Sequence, residues 1–386
     1  MINQEYLDLE KKIISKNNRF NLSKSDKFEL KKNFFNSNIL ITGAAGSIGS
    51  AFVKLLKSYK FKNLILLDKD ENQLTELNRD LVIKFSNKIN RVKFICVDLN
   101  IFKIKTFLIR EKISHYFNFA AIKHVRSQEQ VDSLKYMFST NSINFLPFQK
   151  INNSHLKQIF SISTDKSVYP TSMLGVSKLL MEQVLANFKK KNKKIHVSTT
   201  RFANVSFSNG SILKSIIDRI NSKKIFGIPA NILRYFITHE EAASICFKCL
   251  LKKNDNYILV PNNKVIGEPI LVETLCRKIL KIKGFKIEIC SKPKPIKKNI
   301  YPVVINKKLT HGQKHTEKFN YKSEVLIDDF SDKTIKKIKI YNFFNQFQIL
   351  SKIVKLENLN KIIKIIEKKI PVFSHNKKVS FLSKKI

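Results

Sequence analysis

Apolar residues along this chain follow two rhythms. Short continuous runs at 38–42, 63–67, 92–97, 115–120, 157–163 and 195–200 have the length and composition of buried strands. Between them, near 47–58, 71–86, 101–111, 128–149 and 172–190, apolar positions recur every three or four residues, as on one face of a helix. Strand alternating with helix predicts a parallel, doubly wound α/β sheet of Rossmann type. Ligands of such sheets bind at the carboxyl ends of the strands. The rhythm runs over 37–205, which reads as the nucleotide-binding domain. Residues 1–36 read as an N-terminal helix, Tyr6 to Ile14, and a polar linker. Residues 206–330 are irregular and proline-rich, and read as a smaller substrate-binding region partly returning to the sheet. Residues 331–386 read as a peripheral tail with one helical pattern, Ile353 to Ile370, and a Lys-rich end.

The first strand runs into Thr42-Gly43-Ala44-Ala45-Gly46-Ser47-Ile48-Gly49 and then an amphipathic segment. In such a strand–turn–helix, Gly43 permits the tight turn, Gly46 lets backbone approach a pyrophosphate, and Gly49 lets the helix lie against the strand. The N–H groups of Ala45, Gly46, Ser47 and Ile48 then face the phosphates. The second strand ends at Asp68, 19 residues after Gly49, where an acidic residue would grip the adenosine ribose. A carboxylate there favours NAD over NADP, because it repels a 2′-phosphate.

The remaining strand ends supply further candidates. The third ends in Asp98-Leu99, an acceptor for adenine or a helix cap. The fourth ends in Ala120-Ala121, small enough to lie against a cofactor, and then Lys123, aimed at phosphate or sugar. The fifth ends Ser163-Thr164-Asp165-Lys166, with Lys178 twelve residues on. Asn204, Ser208 and Ser211 follow the sixth and would line the substrate side. Arg234 offers a planar fork that suits a diphosphate.

Composition narrows the picture. The formal charge is +42, but only nine of the 72 basic residues are Arg and the Lys are spread throughout. Specific nucleic-acid readers lean on Arg and no recognition motif is present, so the charge reads as compositional bias that would also draw in an anionic small substrate. The five cysteines are scattered among apolar residues, which fits reduced thiols in a cytoplasmic protein. Cys246 and Cys249 sit in a helical stretch without a second ligand pair, and no metal site is expected. No apolar run is long enough for a transmembrane span, and the N-terminus lacks the apolar core of a signal peptide.

The runs TGAAGSIGS, AAIKHV, STDKSVYPTSMLGVSK, RFANVSFSNGS and RYFITHEEA together resemble the extended short-chain dehydrogenase/reductases. Within them they resemble the UDP-N-acetylglucosamine 4,6-dehydratase and polysaccharide-biosynthesis group, from about Asn38 to about Leu251. The resemblance implies an NAD-dependent enzyme, commonly a homo-oligomer, acting on a UDP-sugar. Carbon 4 gives hydride to the nicotinamide, the carbon-5 proton is removed, water leaves from carbon 6, and the hydride returns to carbon 6. Lys166 would be the carbon-5 base, Asp165 the acid for the departing hydroxyl, Thr164 a partner of the 4-hydroxyl, and Lys178 the holder of the nicotinamide ribose. One position departs from the family pattern. Where Tyr-x-x-x-Lys or its methionine variant is expected, this chain has Leu174. Leucine cannot take a proton, so that step falls to Thr164, Asp165 or water. Two alternatives follow: a 4-epimerase of the same fold, or a dinucleotide-binding protein without turnover.

Overall fold

The computed structural model describes residues 4–124, 128–151, 153–307, 312–341 and 346–374. Val125 of the AAIKHV run and the Lys-rich end beyond residue 374 lie outside the described residues.

Six strands form the centre: β1 (Asn38–Thr42), β2 (Asn63–Asp68), β3 (Val92–Cys96), β4 (His115–Asn118), β5 (Gln158–Thr164) and β6 (His196–Phe202). They pair in parallel in the order 3-2-1-4-5-6, so the order reverses between β1 and β4, where doubly wound sheets bind dinucleotides. Strand Tyr257–Pro261 continues the sheet in parallel beside β6. Ile335–Lys339 then adds antiparallel to it, and Ile327–Asp328 ends the nine-stranded sheet. β1 and β2 are apolar along most of their length, as suits strands covered on both faces. On one face, helices Ser47–Leu55, Glu71–Phe85 and His239–Cys249 bury Phe52, Leu77 and Phe247. On the other, Val131–Asn141 and Met173–Lys191 bury Phe138 and Leu180. A third core lies in the smaller region, where helices Ile212–Asn221 and Val272–Ile282 pack on the three-stranded sheet of Phe226–Pro229, Lys286–Cys290 and Ile300–Asn306.

Both ends of the chain depart from expectation. The stretch read as a linker holds a capped helix, Lys24–Phe34, that buries Leu30 and Phe34 in the main core. The first helix, Gln4–Ile13, packs Tyr6, Leu9 and Ile13 into the core of the smaller region. The region read as a peripheral tail contributes the sheet strand Ile335–Lys339 and two helices, Gln346–Lys355 and Leu359–Lys369. Ile349, Ile353, Ile362, Ile363 and Ile366 of these helices are buried against the Met173–Lys191 side of the sheet. Strand IKKIK shows no two-residue period in the sequence, since its two isoleucines stand three apart.

A further strongly held segment is Gly312–Glu324, which has little regular structure but many anchors. Its central tie is Arg201 of β6. The guanidinium donates to Glu182 on helix Met173–Lys191 at 2.8 Å and to Glu324 at 2.7 and 2.8 Å. All three side chains are nearly fully buried. It also donates to the Phe319 carbonyl at 3.1 Å. Removing one member of a buried ion network costs more than the network itself contributes, because the remaining charges stay desolvated. Arg201→Met is therefore expected to lower unfolding free energy by about 3–5 kcal/mol, read as a shifted midpoint in urea. A change under about 0.5 kcal/mol, the size of an ordinary surface substitution, would show that the triad holds nothing.

Candidate active site

The turn after β1 is shaped by backbone proximity. Gly43 has φ +68°, and a Cβ on it would lie 2.3 Å from the Ala120 nitrogen. A Cβ on Gly49 would lie 2.2 Å from the Gly43 carbonyl oxygen. Both substitutions collide with backbone, so the loop and the strand ends hold each other in place. Gly46 differs. Its virtual Cβ meets only the Gly43 oxygen, at 3.3 Å, and the residue caps helix Ser47–Leu55 with no side-chain partner. Its outer side is open where a phosphate would face the helix N-terminus.

Between β1 and β4 the strand ends enclose a cleft of about 150 Å³. Gly43, Gly46, Asp68, Asp98, Leu99, Ala120 and Ala121 all line it. Asp68 accepts from the Ala45 N–H at 2.9 Å and from the Asp70 N–H at 3.1 Å. Burial raises its carboxyl, and these N–H groups partly offset the rise. A carboxylate has roughly four acceptor positions, so Asp68 can fasten the glycine loop and still take a ribose hydroxyl. Asp98 does not cap a helix. It accepts from Asn100 and from the Tyr136 hydroxyl, which also accepts from Lys69 at 3.1 Å. Lys69 is thereby drawn across to Tyr136, away from a role as a free cation beside Asp68. Ser47 accepts from the Asn209 N–H at 2.9 Å, and Asn209 donates to Gln73 at 2.8 Å, closing a small depression beside Ala45. Ile48 packs against the core and offers only its backbone.

At the carboxyl end of β5 the chain turns through Thr164, Asp165 and Lys166. Thr164 Oγ1 donates to Asp165 Oδ1 at 3.0 Å, and Lys166 Nζ donates to the same oxygen at 3.0 Å. Asp165 is buried, and its Oδ2 has no hydrogen-bond partner among the described residues. Burial raises its carboxyl, Lys166 opposes the rise, and Glu317 adds to it. The turn is clamped from behind, since a Cβ on Gly175 would lie 2.2 Å from the Lys166 carbonyl oxygen. Lys166 Nζ also reaches Asn204 Oδ1 at 3.4 Å. Lys123 is exposed beside this turn and donates to Ser208 at 3.3 Å. Lys178 is fully enclosed and donates to the Ile162 carbonyl at 3.0 Å; burial pushes it down to about 7 against the pull of Glu182. Leu174 is buried in the apolar core. Tyr169 does not replace the missing hydroxyl, because its oxygen accepts from the Lys322 N–H at 2.8 Å.

Two expected substrate contacts are otherwise engaged. Ser211 caps helix Ile212–Asn221, accepting from the Lys214 N–H at 3.3 Å. Arg234 donates to the carbonyls of Leu233, His315 and Lys314 at 2.8–3.0 Å and faces Glu317 at 3.8 Å. Its fork holds the Gly312–Glu324 segment rather than standing free for a diphosphate. Glu317 is the residue that sequence reasoning missed. It is buried, with one oxygen 4.0 Å from Lys166 Nζ and the other 2.7 Å from Lys314 Nζ. The Lys314 contact is an ion pair rather than an aligned hydrogen bond. Burial pushes the Glu317 carboxyl up, but Lys166, Lys314 and Arg234 together outweigh this and hold it low. The only signal in the sequence is a lone glutamate in the basic run HGQKHTEKF.

No cluster of three metal-ligating side chains occurs among the described residues. Cys246 and Cys249 are buried, and burial raises both thiols. No helix among the described residues is long and apolar enough to cross a membrane.

The chain resembles known proteins in sequence and fold. Residues 39–343 match the family described as "Polysaccharide biosynthesis protein". The capsular polysaccharide biosynthesis protein CapD of Staphylococcus aureus is 26% identical over 326 residues, 81% of this chain and 51% of that protein. The chain thus spans about half the length of that relative. The UDP-N-acetylglucosamine 4,6-dehydratase (inverting) of Campylobacter jejuni is 26% identical over 237 residues, 59% of this chain and 67% of that enzyme. Among solved structures, UDP-glucuronic acid 4-epimerase from Bacillus cereus, in complex with UDP-glucuronic acid and NAD, superposes with a TM-score of 0.56. It is 20% identical, and the match covers 73% of this chain and 90% of that one, a likeness of fold. The family match, spanning most of the chain, and the shared Rossmann architecture agree: the chain belongs to the polysaccharide biosynthesis proteins of the extended short-chain dehydrogenase/reductase type.

Proposed function

We propose that the protein is an NAD-dependent 4,6-dehydratase of a UDP-sugar, with UDP-N-acetylglucosamine as the first substrate to test. The observation that carries this reading is the Thr164–Lys166 turn, in which a hydroxyl and an amine converge on one buried carboxylate at a strand's carboxyl end. The open face of Gly46, Asp68 and the cleft between β1 and β4 fit a dinucleotide; when bound, its nicotinamide supplies hydride acceptance from carbon 4 and return to carbon 6. Lys178 would meet the nicotinamide ribose. Lys123, Asn204 and Ser208 would meet the substrate, with Arg234 acting through the segment it anchors.

The proton inventory closes without a tyrosine. The 4-hydroxyl proton passes through Thr164 to Asp165. Lys166, after passing its own proton to solvent, takes the carbon-5 proton. Asp165 then protonates the carbon-6 hydroxyl, which leaves as water while the carbon 5–carbon 6 double bond forms. Lys166 finally returns its proton to carbon 5. Each such proton transfer is typically worth about 10²–10⁴-fold. A 4-epimerase needs no acid at carbon 6, and the buried Asp165 beside Lys166 favours dehydration over that reading.

Mass analysis after incubation with UDP-N-acetylglucosamine is expected to show loss of one water; an isomer of unchanged mass means epimerase, and no change means binding alone. Lys166→Ala is expected to reduce bound NAD on adding substrate yet release at least about 10²-fold less dehydrated product, with loss of solvent deuterium exchange at carbon 5. Full dehydration by that variant would place the base elsewhere. In direct titration NAD is expected to bind more tightly than NADP, and the reverse order would remove Asp68 from the ribose. Lys178 makes a further test, because a group held for chemistry is carried at a cost in stability. Its pKa falls from 10.5 unfolded to about 7 folded. Between those values the unfolded chain binds more protons, so this contribution to stability rises with pH across the window. Lys178→Met is therefore expected to stabilise the protein by a few kcal/mol near pH 6, with the gain fading toward pH 10, while abolishing turnover. A gain independent of pH would show that the amine is not buried as described.

A further inference from the structure

The active-site turn holds one carboxylate, but the covering segment brings a second. Asp165 and Glu317 approach Lys166 Nζ from different elements, at 3.0 and 4.0 Å. Their surroundings differ in one respect. Glu317 has cations of its own, Lys314 at 2.7 Å and Arg234 at 3.8 Å. Among the described residues, Asp165 has only the shared Lys166 as an ion-pair partner. Asp165 also keeps Oδ2 buried and without a donor. Glu317 Oε2 is likewise without an aligned donor but has Lys314 Nζ beside it at 2.7 Å, whereas no cation stands at Asp165 Oδ2, so taking up a proton relieves more at Asp165 than at Glu317. Two like charges in one dry site cannot both be ionised cheaply, so their environments separate them into an anion and a proton carrier.

We propose that Glu317 is a positioning residue for proton transfer at Asp165: its fixed carboxylate, held by Lys314 and Arg234, makes Asp165 basic enough to take a proton and keep it until the leaving hydroxyl needs it. This rests on the dehydratase reading for its consequence in turnover, though not for its electrostatics. It also gives the Gly312–Glu324 segment a chemical task beyond covering the site. The other charged groups come from several places in the fold. Lys166 lies on the turn itself, Lys123 faces Lys166 from the end of β4, and Arg234 and Lys314 face Glu317. Asn204 is the neutral partner of Lys166.

The test is an infrared titration of the free protein, following the protonated-carboxyl band that disappears in Asp165→Asn. In Glu317→Gln that band is expected to be lost at a pH lower by about one unit, the size of a like-charge effect at this range. Glu317→Asp is expected to restore it. Lys314→Met, which leaves Glu317 charged but less compensated, is expected to move the band the opposite way. That opposition is a sign no merely structural role would produce, and it keeps the test decisive if Glu317→Gln fails to fold. In the same variants the acid limb of kcat/KM for dehydration should move with the band. Coincident titrations in wild type, Glu317→Gln and Lys314→Met would overturn the proposal. If the wild-type protein releases no dehydrated product, the dehydratase reading fails while the infrared titration still decides the role of Glu317.

Discussion

The structure depends on keeping one guanidinium buried. Arg201 sits on β6 with almost no exposure, and a charge in that position is tolerable only when its donors are satisfied by opposite charge. Two forks meet that demand: Glu182 comes from the helix behind β5, and Glu324 comes from the far end of the covering segment. Glu182 in turn accepts from Ser163 and Ser167, which flank the Thr164–Lys166 turn. Tyr321 lies against the guanidinium and donates to the Ser167 carbonyl at 2.6 Å. The ion network therefore holds the reactive turn between helix and cover. Rigidity at the turn is what a proton relay requires, since positioned acid–base groups lose their effect over fractions of an ångström.

How legible the site is varies with distance along the chain. The glycine turn, Asp68 and the Thr-Asp-Lys run can be read because each is a local event at a strand end, and the sheet brings strand ends together. Arg234 stands out for a sound reason, a scarce planar fork among lysines, but its partners come from some 80 residues away. Glu317 stands out only as a glutamate in a basic run and Glu324 not at all, since their segment has no hydrophobic period and meets the site only through long-range pairing. Ser211 shows the opposite limit: a serine before an amphipathic helix is a cap, and that local chemistry outranks its nearness to the substrate side.

Charge illustrates the same point. The many lysines say little individually, because most are solvated. What separates Lys178 from the rest is enclosure, which weakens its hold on a proton. Lys248, equally buried, is instead neutralised by Asp332, and serves the sheet extension.

The late position of Glu324 and of strand Ile335–Lys339 has a consequence for biogenesis. A chain emerging from the ribosome completes β1 to β6 long before either appears, and N-terminal portions generally begin folding first. Until then Arg201 faces a half-neutralised interior, and Tyr257–Pro261 stands as a bare edge able to recruit another chain. The last quarter of the polypeptide therefore acts as an internal quality check. A nascent or truncated product lacking it would keep an unsealed sheet and a destabilised Thr164–Lys166 turn, and would be a substrate for chaperones and proteases.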